Sequence, residues 1–401
     1  MDSQSNLSFD GLGISPRVLE ILDRLKFKTP TPIQYKAIPA GIEGKDLVGI
    51  AQTGTGKTLA FVIPMVQRLS QGKGKGLVLV PTRELAFQVD ETLQKIGSAF
   101  GIRSAVVVGG ASMGLQIQAL RRNARVIIAT PGRLIDHTEQ RTVMLTDVEV
   151  LVLDEADRML DMGFLPQIQH ILRFIPRQRQ TLLFSATMPE AIANIAASHM
   201  KLPVNVEIAP SGTLVEEVTH ELFIVRRETK NELLRKLLAQ YRGSVLIFTR
   251  TKIGAHRTAR DVRAMGYNAT DVHSDRTLSQ RREALEGFKT GRYRILIATD
   301  IAARGIDVVG IELVINYDLP EDAENYVHRI GRTARAGHKG HAISFATPDQ
   351  ANEVRSIERL IRTALPISEH PEVPLTRFLP PRRYSFAPRG SRRGRGGFRR
   401  R

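Results

Sequence analysis

Residues 150–160 read VLVLDEADRML, and Asp154, Glu155 and Asp157 put three carboxylates within four positions directly after an apolar run. Like charges that close repel one another, and each is costly to desolvate at the end of a buried strand. A divalent cation holding a phosphate chain turns such a cluster from a liability into a site. The means of binding that chain lies upstream. The stretch VGIAQTGTGKTLAF (48–61) contains A-x-x-x-x-G-K-T, a P-loop with Ala51 in place of the usual first glycine, followed by Gln52, Thr53, Gly54, Thr55 and Gly56. Gly54 and Gly56 let backbone N–H groups turn toward phosphate oxygens. Lys57 supplies a point charge to the β and γ phosphates, and Thr58 offers a hydroxyl to Mg²⁺. Asp154 then holds Mg²⁺ through water and Glu155 orients the attacking water, which makes a nucleoside triphosphate and Mg²⁺ the expected cofactors.

For these groups to meet, a sheet must deliver them to one edge. Apolar runs rich in Val, Ile and Leu recur at 46–51, 76–82, 104–110, 125–131, 150–155, 181–187 and 204–209, separated by segments of helical period. The pattern repeats at 220–225, 244–250, 268–273, 294–300, 312–318 and 341–347. Such runs are the strands of parallel sheets covered on both faces. APSGTLVEEV (209–218) groups Pro, Gly, Ser and Thr as a linker does. The expected organisation is therefore an α/β domain over 1–208, a linker at 209–218 and a second α/β domain over 219–367, with one large sheet as the alternative. From 368 to 401 the chain loses periodicity and is expected to be disordered.

The chain has 401 residues, 42% of them apolar, and a formal charge of +17. Ten arginines, with no lysine or acid, fall within 375–401, so a basic tail follows a moderately basic body. This balance favours an anionic partner, a nucleic acid or an anionic membrane surface. The absence of cysteine excludes disulfides, thiolate metal sites and cysteine nucleophiles. The start, MDSQSNLSFDG, does not read as a secretory signal, and no stretch approaches 18 uncharged apolar residues, so a cytoplasmic protein without a membrane helix is expected.

The tetrad DEAD at 154–157 resembles the signature of the DEAD-box ATP-dependent RNA helicases, and further segments similar to that family follow in order over about residues 9–345. The resemblance implies two tandem RecA-like P-loop domains. KFKTPTPIQ (26–34) resembles the Q motif, which implies that Phe27 stacks on adenine and Gln34 hydrogen-bonds its edge; Phe9 fits the pattern upstream, and Lys26 replaces a usual Gly. Read without the family, Phe27 is a core residue and Gln34 a surface one. PTRELA (81–86), Gly109-Gly110 and TPGR (130–133) are similar to RNA-backbone segments, implying contacts from Pro81, Thr82, Arg83, Gly110, Thr130 and Arg133. Arg83 has an alternative role, tied to a neighbouring acid. SAT (185–187) implies that Ser185 and Thr187 hydrogen-bond Asp157 and couple it to RNA.

In the second half, HRIGRTAR (328–335) places His328, Arg329, Arg332 and Arg335 at helical spacing. Arg332 and Arg335, three apart, would share one helix face, and by resemblance they are arginine fingers for the γ-phosphate, with His328 a coupling residue; Ala334 replaces a common Gly. ATDIAARGID (298–307) implies that Thr299 touches RNA, Asp307 the ribose of ATP, and Arg304 couples the two. LIFTRT (246–251) implies that Phe248 supports the arginine helix. HSDRTLSQRREAL (273–285) departs most: Ser274 stands for a Gly, Leu278 for a Gln, and Arg281 keeps an RNA-binding Arg, with Gln280 nearby but out of register.

Together these features imply a monomeric, RNA-stimulated ATP hydrolase that unwinds short RNA duplexes without sequence preference and remodels ribonucleoproteins. Ribosomal or RNA-decay proteins are the partners such a role suggests. In the tail, arginines would pair phosphates while Tyr384, Phe386 and Phe398 stack on bases. An ATP-gated RNA clamp and an annealing chaperone are the alternatives; a DNA translocase is disfavoured because the segments match the RNA family throughout.

Overall fold

The computed structural model describes residues 7–52, 54–208, 218–303, 311–333, 340–374 and 376–379. Thr53, Arg304, Asp307, Ala334 and Arg335, most of the expected linker (209–217), and Tyr384, Phe386 and Phe398 of the tail lie outside the described residues.

All thirteen apolar runs are strands. The first seven are β1 (Leu47–Ile50), β2 (Lys75–Leu79), β3 (Ser104–Val107), β4 (Val126–Ala129), β5 (Val148–Asp154), β6 (Gln180–Ser185) and β7 (Val204–Glu207). They form one parallel sheet in the order β3-β4-β2-β5-β6-β1-β7. The next six are β8 (Val218–Ile224), β9 (Val245–Phe248), β10 (Ala269–Val272), β11 (Ile295–Ala298), β12 (Leu313–Asn316) and β13 (Gly340–Ala346). They make a second parallel sheet, β10-β11-β9-β12-β13-β8. Two sheets, not one, answer the question of architecture.

The period of two along each strand sorts its side chains between two cores. Val150 and Val152 of β5 pack with the helices Lys57–Gln71 and Arg83–Gly97. Leu151 and Leu153 pack on the other face with Pro131–Glu139 and Leu165–Leu172. In β9, Val245 and Ile247 face one core and Leu246 and Phe248 the other. Each such side chain, fully buried, contributes roughly 1.5–3 kcal/mol, which is why every strand needs helices on both faces. Among the described residues no helix is long and apolar enough to cross a membrane.

Register explains how the chemistry is assembled. Ile50 pairs with Ser185, and Asp154 with Phe184, so the C-terminal ends of β1, β6 and β5 lie side by side. Ala51 N–H donates to the Ser185 carbonyl at 2.9 Å, carrying the contact past the strands. The P-loop, the acid cluster and the 185–187 segment thus meet because adjacent parallel strands end together, the usual place for ligands in such sheets.

The second unit extends past its expected end at 367. Leu222 N–H donates to the Pro366 carbonyl and Ser368 N–H to the Leu222 carbonyl, so the returning chain pairs with the edge strand β8. Phe378 packs against the core, and Leu379 N–H donates to the Pro348 carbonyl. Covering an exposed edge is a common answer to unpaired strand groups.

One local feature concerns Lys26. The helix Pro16–Arg24 ends with Lys26 N–H donating to the Asp23 carbonyl and Phe27 N–H to the Leu22 carbonyl, a Schellman closure. Lys26 occupies the left-handed position, at φ 62°, where glycine is favoured. The departure noted in sequence is therefore a point of backbone strain just before Phe27. Lys26→Gly should raise stability by about 0.5–1 kcal/mol, moving the melting temperature up by about 1–3 °C, since relief of strain exceeds the added unfolded-state entropy. An unchanged or lowered melting temperature would show the position to be unstrained.

Candidate active site and RNA-binding face

Gly54 and Gly56 both have positive φ, 86° and 88°, which turns successive N–H groups into the loop that precedes the helix Lys57–Gln71. A Cβ on Gly56 would collide with the Gln34 amide. Gln34 itself is buried, its Oε1 accepting from Thr31 N–H (2.9 Å) and its Nε2 donating to the Gly56 carbonyl (3.0 Å). It therefore ties the Q-motif segment to the P-loop. Phe27 is 41% exposed. The family-free expectation for these two residues is reversed: the aromatic is free to stack and the amide is inside. Lys57 is buried and curls back, donating to the Ala51 carbonyl at 2.8 Å. Thr55 Oγ1 donates to the Gln52 carbonyl at 2.7 Å, and Thr58 is half-buried at the start of the helix.

The acid cluster is almost dry, with Asp154, Glu155 and Asp157 all buried. Each has a different neighbour. Burial, reinforced by Glu155 and only partly offset by Lys57, pushes Asp154 up to about 7. Its Oδ1 is buried with no hydrogen-bond partner. An orphaned carboxylate oxygen facing the P-loop lysine suits a hydrated divalent cation, and the Thr58 hydroxyl that follows Lys57 is the chemical type to share it. Glu155 sits in left-handed backbone, φ 54° and ψ 51°, capping the short helix Ala156–Asp161. Non-glycine residues in that region are strained and concentrate at functional sites. Its Oε2 accepts from Arg158 Nη1 at 2.6 Å.

Asp157 makes the contact with the 185–187 segment that its motif implied. Its Oδ2 accepts from the backbone N–H of Ala186 (3.0 Å) and Thr187 (2.9 Å) and from Thr187 Oγ1 (3.2 Å). Ser185 bonds the Asp157 main chain instead, Oγ accepting from the Asp157 N–H at 3.0 Å. Burial works against ionisation of Asp157, yet Lys57, His328 and the Thr187 amide outweigh it and hold the carboxyl below its ordinary range. His328 belongs to the second lobe, so this acid senses both.

The expected RNA face of the first lobe also comes together. Pro81 and Thr82 are buried at the end of β2, and Thr82 Oγ1 caps the helix Arg83–Gly97 by accepting from Leu85 N–H at 3.3 Å. The Arg83 guanidinium lies over the Gly109-Gly110 turn, where a Cβ on Gly110 would collide with it. Burial and the nearby Arg281 and Arg133 pull the Arg83 pKa down, with Glu84 opposing. Arg133 Nη1 donates to the Ala111 carbonyl at 3.0 Å, and buried Thr130 opens its helix. Clustered cations that destabilise one another are the electrostatic form of an anion site. Sequence reasoning missed what holds the turn. Gln116 is buried and brackets Val108, accepting from its N–H (3.2 Å) and donating to its carbonyl (3.0 Å), while buried His137 contacts Gln116 at 3.3 Å.

The second lobe gives one expected RNA residue a partner in the first lobe and corrects one expected spacing. Arg281, expected on RNA, is buried in an ion pair with Glu84 of the first lobe at 2.7 Å. Next to it, the Arg282 guanidinium lies 4.8 Å from the Phe87 ring centroid. Glu84 precedes this contact in sequence as the acid of PTRELA, so the motif that carries an RNA arginine also supplies a lobe–lobe carboxylate. Burial raises the Glu84 pKa and Arg281 opposes it. The correction concerns helical spacing. The helix Ala323–Ile330 stops before Gly331, so Arg332 is not on it; Arg332 is buried in the following turn with Nε 3.3 Å from the His328 carbonyl. Glycine weakens the helix there, and the arginine satisfies a terminal carbonyl.

Phe248 does support this segment. Arg329, 5.0 Å from its ring centroid, is fully buried and forked onto Asp300 at 2.6 and 2.8 Å. Thr299 is buried at the end of β11. Ser274 is exposed without positive φ, so its glycine-free backbone carries no strain. Gln280 is committed elsewhere: its Oε1 accepts from Thr277 N–H at 3.0 Å in a capping box. Leu278 opens that helix. His256, Asp271 and His273 bring three potential metal-ligand atoms within 4.8 Å. Arg276 at 2.6 Å and Arg263 at 3.8 Å already face Asp271, however, so an added cation would meet two guanidinium groups.

A P-loop lobe with a dry acid cluster, facing a second RecA-like lobe that brings Arg281 and His328 to the seam, defines a two-lobed nucleotide hydrolase. The chain belongs to the DEAD/DEAH box helicase family: that family's model matches residues 31–195, and the helicase conserved C-terminal domain matches residues 229–337. It is 44% identical to the ATP-dependent rRNA helicase RRP3 of Debaryomyces hansenii over 91% of this chain and 77% of the relative. It is 43% identical to the DEAD-box ATP-dependent RNA helicase CshA of Geobacillus kaustophilus over 88% of this chain and 76% of the relative. Among solved structures, S. cerevisiae Dbp5 bound to RNA and ADP BeF3 aligns with a TM-score of 0.80 at 32% identity, covering 90% of this chain and 96% of that one. Mss116p bound to ssRNA and AMP-PNP aligns at 0.83 with 26% identity, covering 92% and 81%. The protein is an ATP-dependent RNA helicase, an RNA-binding enzyme that hydrolyses ATP.

Two measurements test this geometry. A carboxyl raised from its unfolded value near 4 to about 7 keeps a proton in the folded state that the unfolded state has lost, so stability falls as pH rises through that window. Without Mg²⁺ and nucleotide, the melting temperature should drop across that window, and Asp154→Asn should flatten the slope; equal slopes would refute the buried, uncompensated carboxyl. Separately, Glu84→Arg and Arg281→Glu should each cut RNA-stimulated ATP turnover about tenfold or more, and the double swap should restore part of it. Turnover that responds to Arg281→Glu but not to Glu84→Arg would return Arg281 to a purely RNA-binding role.

Proposed function

We propose that this helicase separates short RNA duplexes locally, without sequence preference, and remodels ribonucleoproteins by closing its two lobes over ATP and one RNA strand. The observation that carries the reading is the shared seam: Asp157 in the first lobe feels His328 of the second, and Glu84 pairs with Arg281 across it. ATP and RNA each gain contacts from both lobes on closure, which makes hydrolysis depend on RNA through a hinge.

In this reading Phe27 stacks on adenine and the P-loop N–H groups and Lys57 hold the phosphates. Asp154 and Thr58 would hold a hydrated Mg²⁺, which neutralises charge on the phosphate oxygens when bound. Glu155 orients the attacking water. Arg332, with Arg335, stabilises charge developing at the γ-phosphate, an effect of about 10³–10⁵ in other nucleotide hydrolases. Arg83, Arg133, Gly110, Thr130 and Thr299 hold RNA through its backbone, and Asp157 with Thr187 carries the state of one site to the other. Closure forces a bend that an A-form duplex does not accept, so the partner strand leaves. The basic tail adds a sequence-independent hold on RNA and raises its local concentration. The protein works as a cytoplasmic monomer, with ribosomal or RNA-decay proteins as partners.

Strand displacement with a short labelled RNA duplex tests this. Wild type with ATP should release the strand, Lys57→Ala should lose nearly all ATP turnover and release, and Glu155→Gln should bind ATP and RNA while holding both without hydrolysis. Stable RNA retention by wild type with ATP turnover but no strand release would favour the clamp instead.

A further inference from the structure

One residue of the acid cluster is explained by neither the P-loop nor the second lobe. Arg158 is 1% exposed and among the largest fully buried side chains of the protein. Its Nη1 donates to Glu155 Oε2 at 2.6 Å, while Nε and Nη2 are sealed from solvent without a hydrogen-bond partner. Burying a guanidinium with two donor nitrogens unmet is costly. An apolar side chain of similar volume would serve the core better, because a buried ion pair is seldom the most stable filling of a site. The cation is therefore there for what it does to Glu155.

The geometry says what that is. The Glu155 backbone is fixed in the left-handed region by its place between β5 and the helix Ala156–Asp161. What remains free is the side chain, whose torsions decide where the carboxylate lies. Arg158 follows three residues later, one helical turn on, and takes one carboxylate oxygen. Its main-chain N–H meanwhile donates to Asp157 Oδ1 at 2.9 Å, so the same residue also touches the third acid without sharing a guanidinium with it. We propose that Arg158 is a positioning residue for ATP hydrolysis: it clamps Glu155 through Oε2 so that Oε1 is held for the attacking water. This rests on the reading of Glu155 as the water-orienting carboxylate. A base misplaced by about 1 Å loses about 10²-fold in rate, so a clamp on a flexible side chain has a large effect to exert.

The test uses the full-length protein with saturating RNA and compares Arg158→Met, which keeps bulk without charge, with Arg158→Lys, which keeps charge without the planar fork. Arg158→Met should lower kcat about 10- to 100-fold while KM for ATP and affinity for a fluorescent ADP analogue change by no more than about twofold. Arg158→Lys should recover part of kcat at an unchanged melting temperature. In a Glu155→Gln background, Arg158→Met should cause no further fall in the residual rate, because the two act as one unit. An unchanged kcat in Arg158→Met overturns the proposal, as does a fall matched by equal loss of ADP-analogue affinity. Should Arg158→Met fail to fold, Arg158→Lys decides alone: a folded variant with wild-type kcat and KM in which the Glu155 contact is broken overturns it. Retained hydrolysis by Glu155→Gln itself would instead remove the reading of Glu155, a distinguishable failure.

Discussion

Three carboxylates at the dry end of one strand set the terms for the rest of the molecule. Left together they would repel one another and protonate, as Asp154, raised to about 7, already begins to do. The fold divides them. Asp154 faces Lys57 with one oxygen buried and unpartnered. Glu155 turns through a strained backbone to Arg158. Asp157 is held by the amides of 186 and 187 and by the field of His328. Each acid thus has a different partner: the P-loop lysine, Arg158, and the 185–187 amides with the opposite lobe. Parallel strands ending in register make the division possible, since β1, β5 and β6 bring the P-loop, the acids and the 185–187 segment to one line.

The seam between lobes shows similar economy in a single helical turn. Thr82 caps its helix, Arg83 lies against the Gly110 turn, and Glu84 points to Arg281 of the other lobe. Three consecutive residues therefore serve helix capping, the Gly110 turn and the lobe contact. Because they share one rigid element, displacement of one displaces the others. The Gly110 turn and the second lobe are thus linked through one helix start, without any long chain of intermediaries.

Much of this was legible from sequence because it depends on local pattern. All thirteen strands follow from apolar runs, and the P-loop and acid cluster follow from residue type and spacing. What escaped depends on burial or on partners distant in the chain. Arg158 and Gln116 carry no signal in the sequence, since nothing local reveals that a charged or amide side chain is enclosed. Arg281 has its RNA-motif identity in sequence but its ion pair only in space. The shared face drawn for Arg332 failed because helical spacing was extended through Gly331, where the helix had already ended. The second unit runs past residue 367 because its return chain pairs with β8, a contact without any periodicity to announce it.

The departures from the family pattern acquire different meanings once the backbone is known. Lys26 replaces a glycine at positive φ, so it stores strain at the hinge that aims Phe27. Ser274 also replaces a glycine, but its backbone lies in an ordinary region, so its cost is not conformational. Gln280 cannot stand in for the amide lost at 278, because its own side chain is spent closing the cap on Thr277. Arg281 faces the first lobe. The helix Leu278–Lys289 therefore offers RNA fewer free polar groups than its motif implies, and contributes instead to the lobe contact through Arg281 and Arg282. A helix that grips its neighbouring lobe stabilises the arrangement of the lobes that contains that contact over arrangements that lack it.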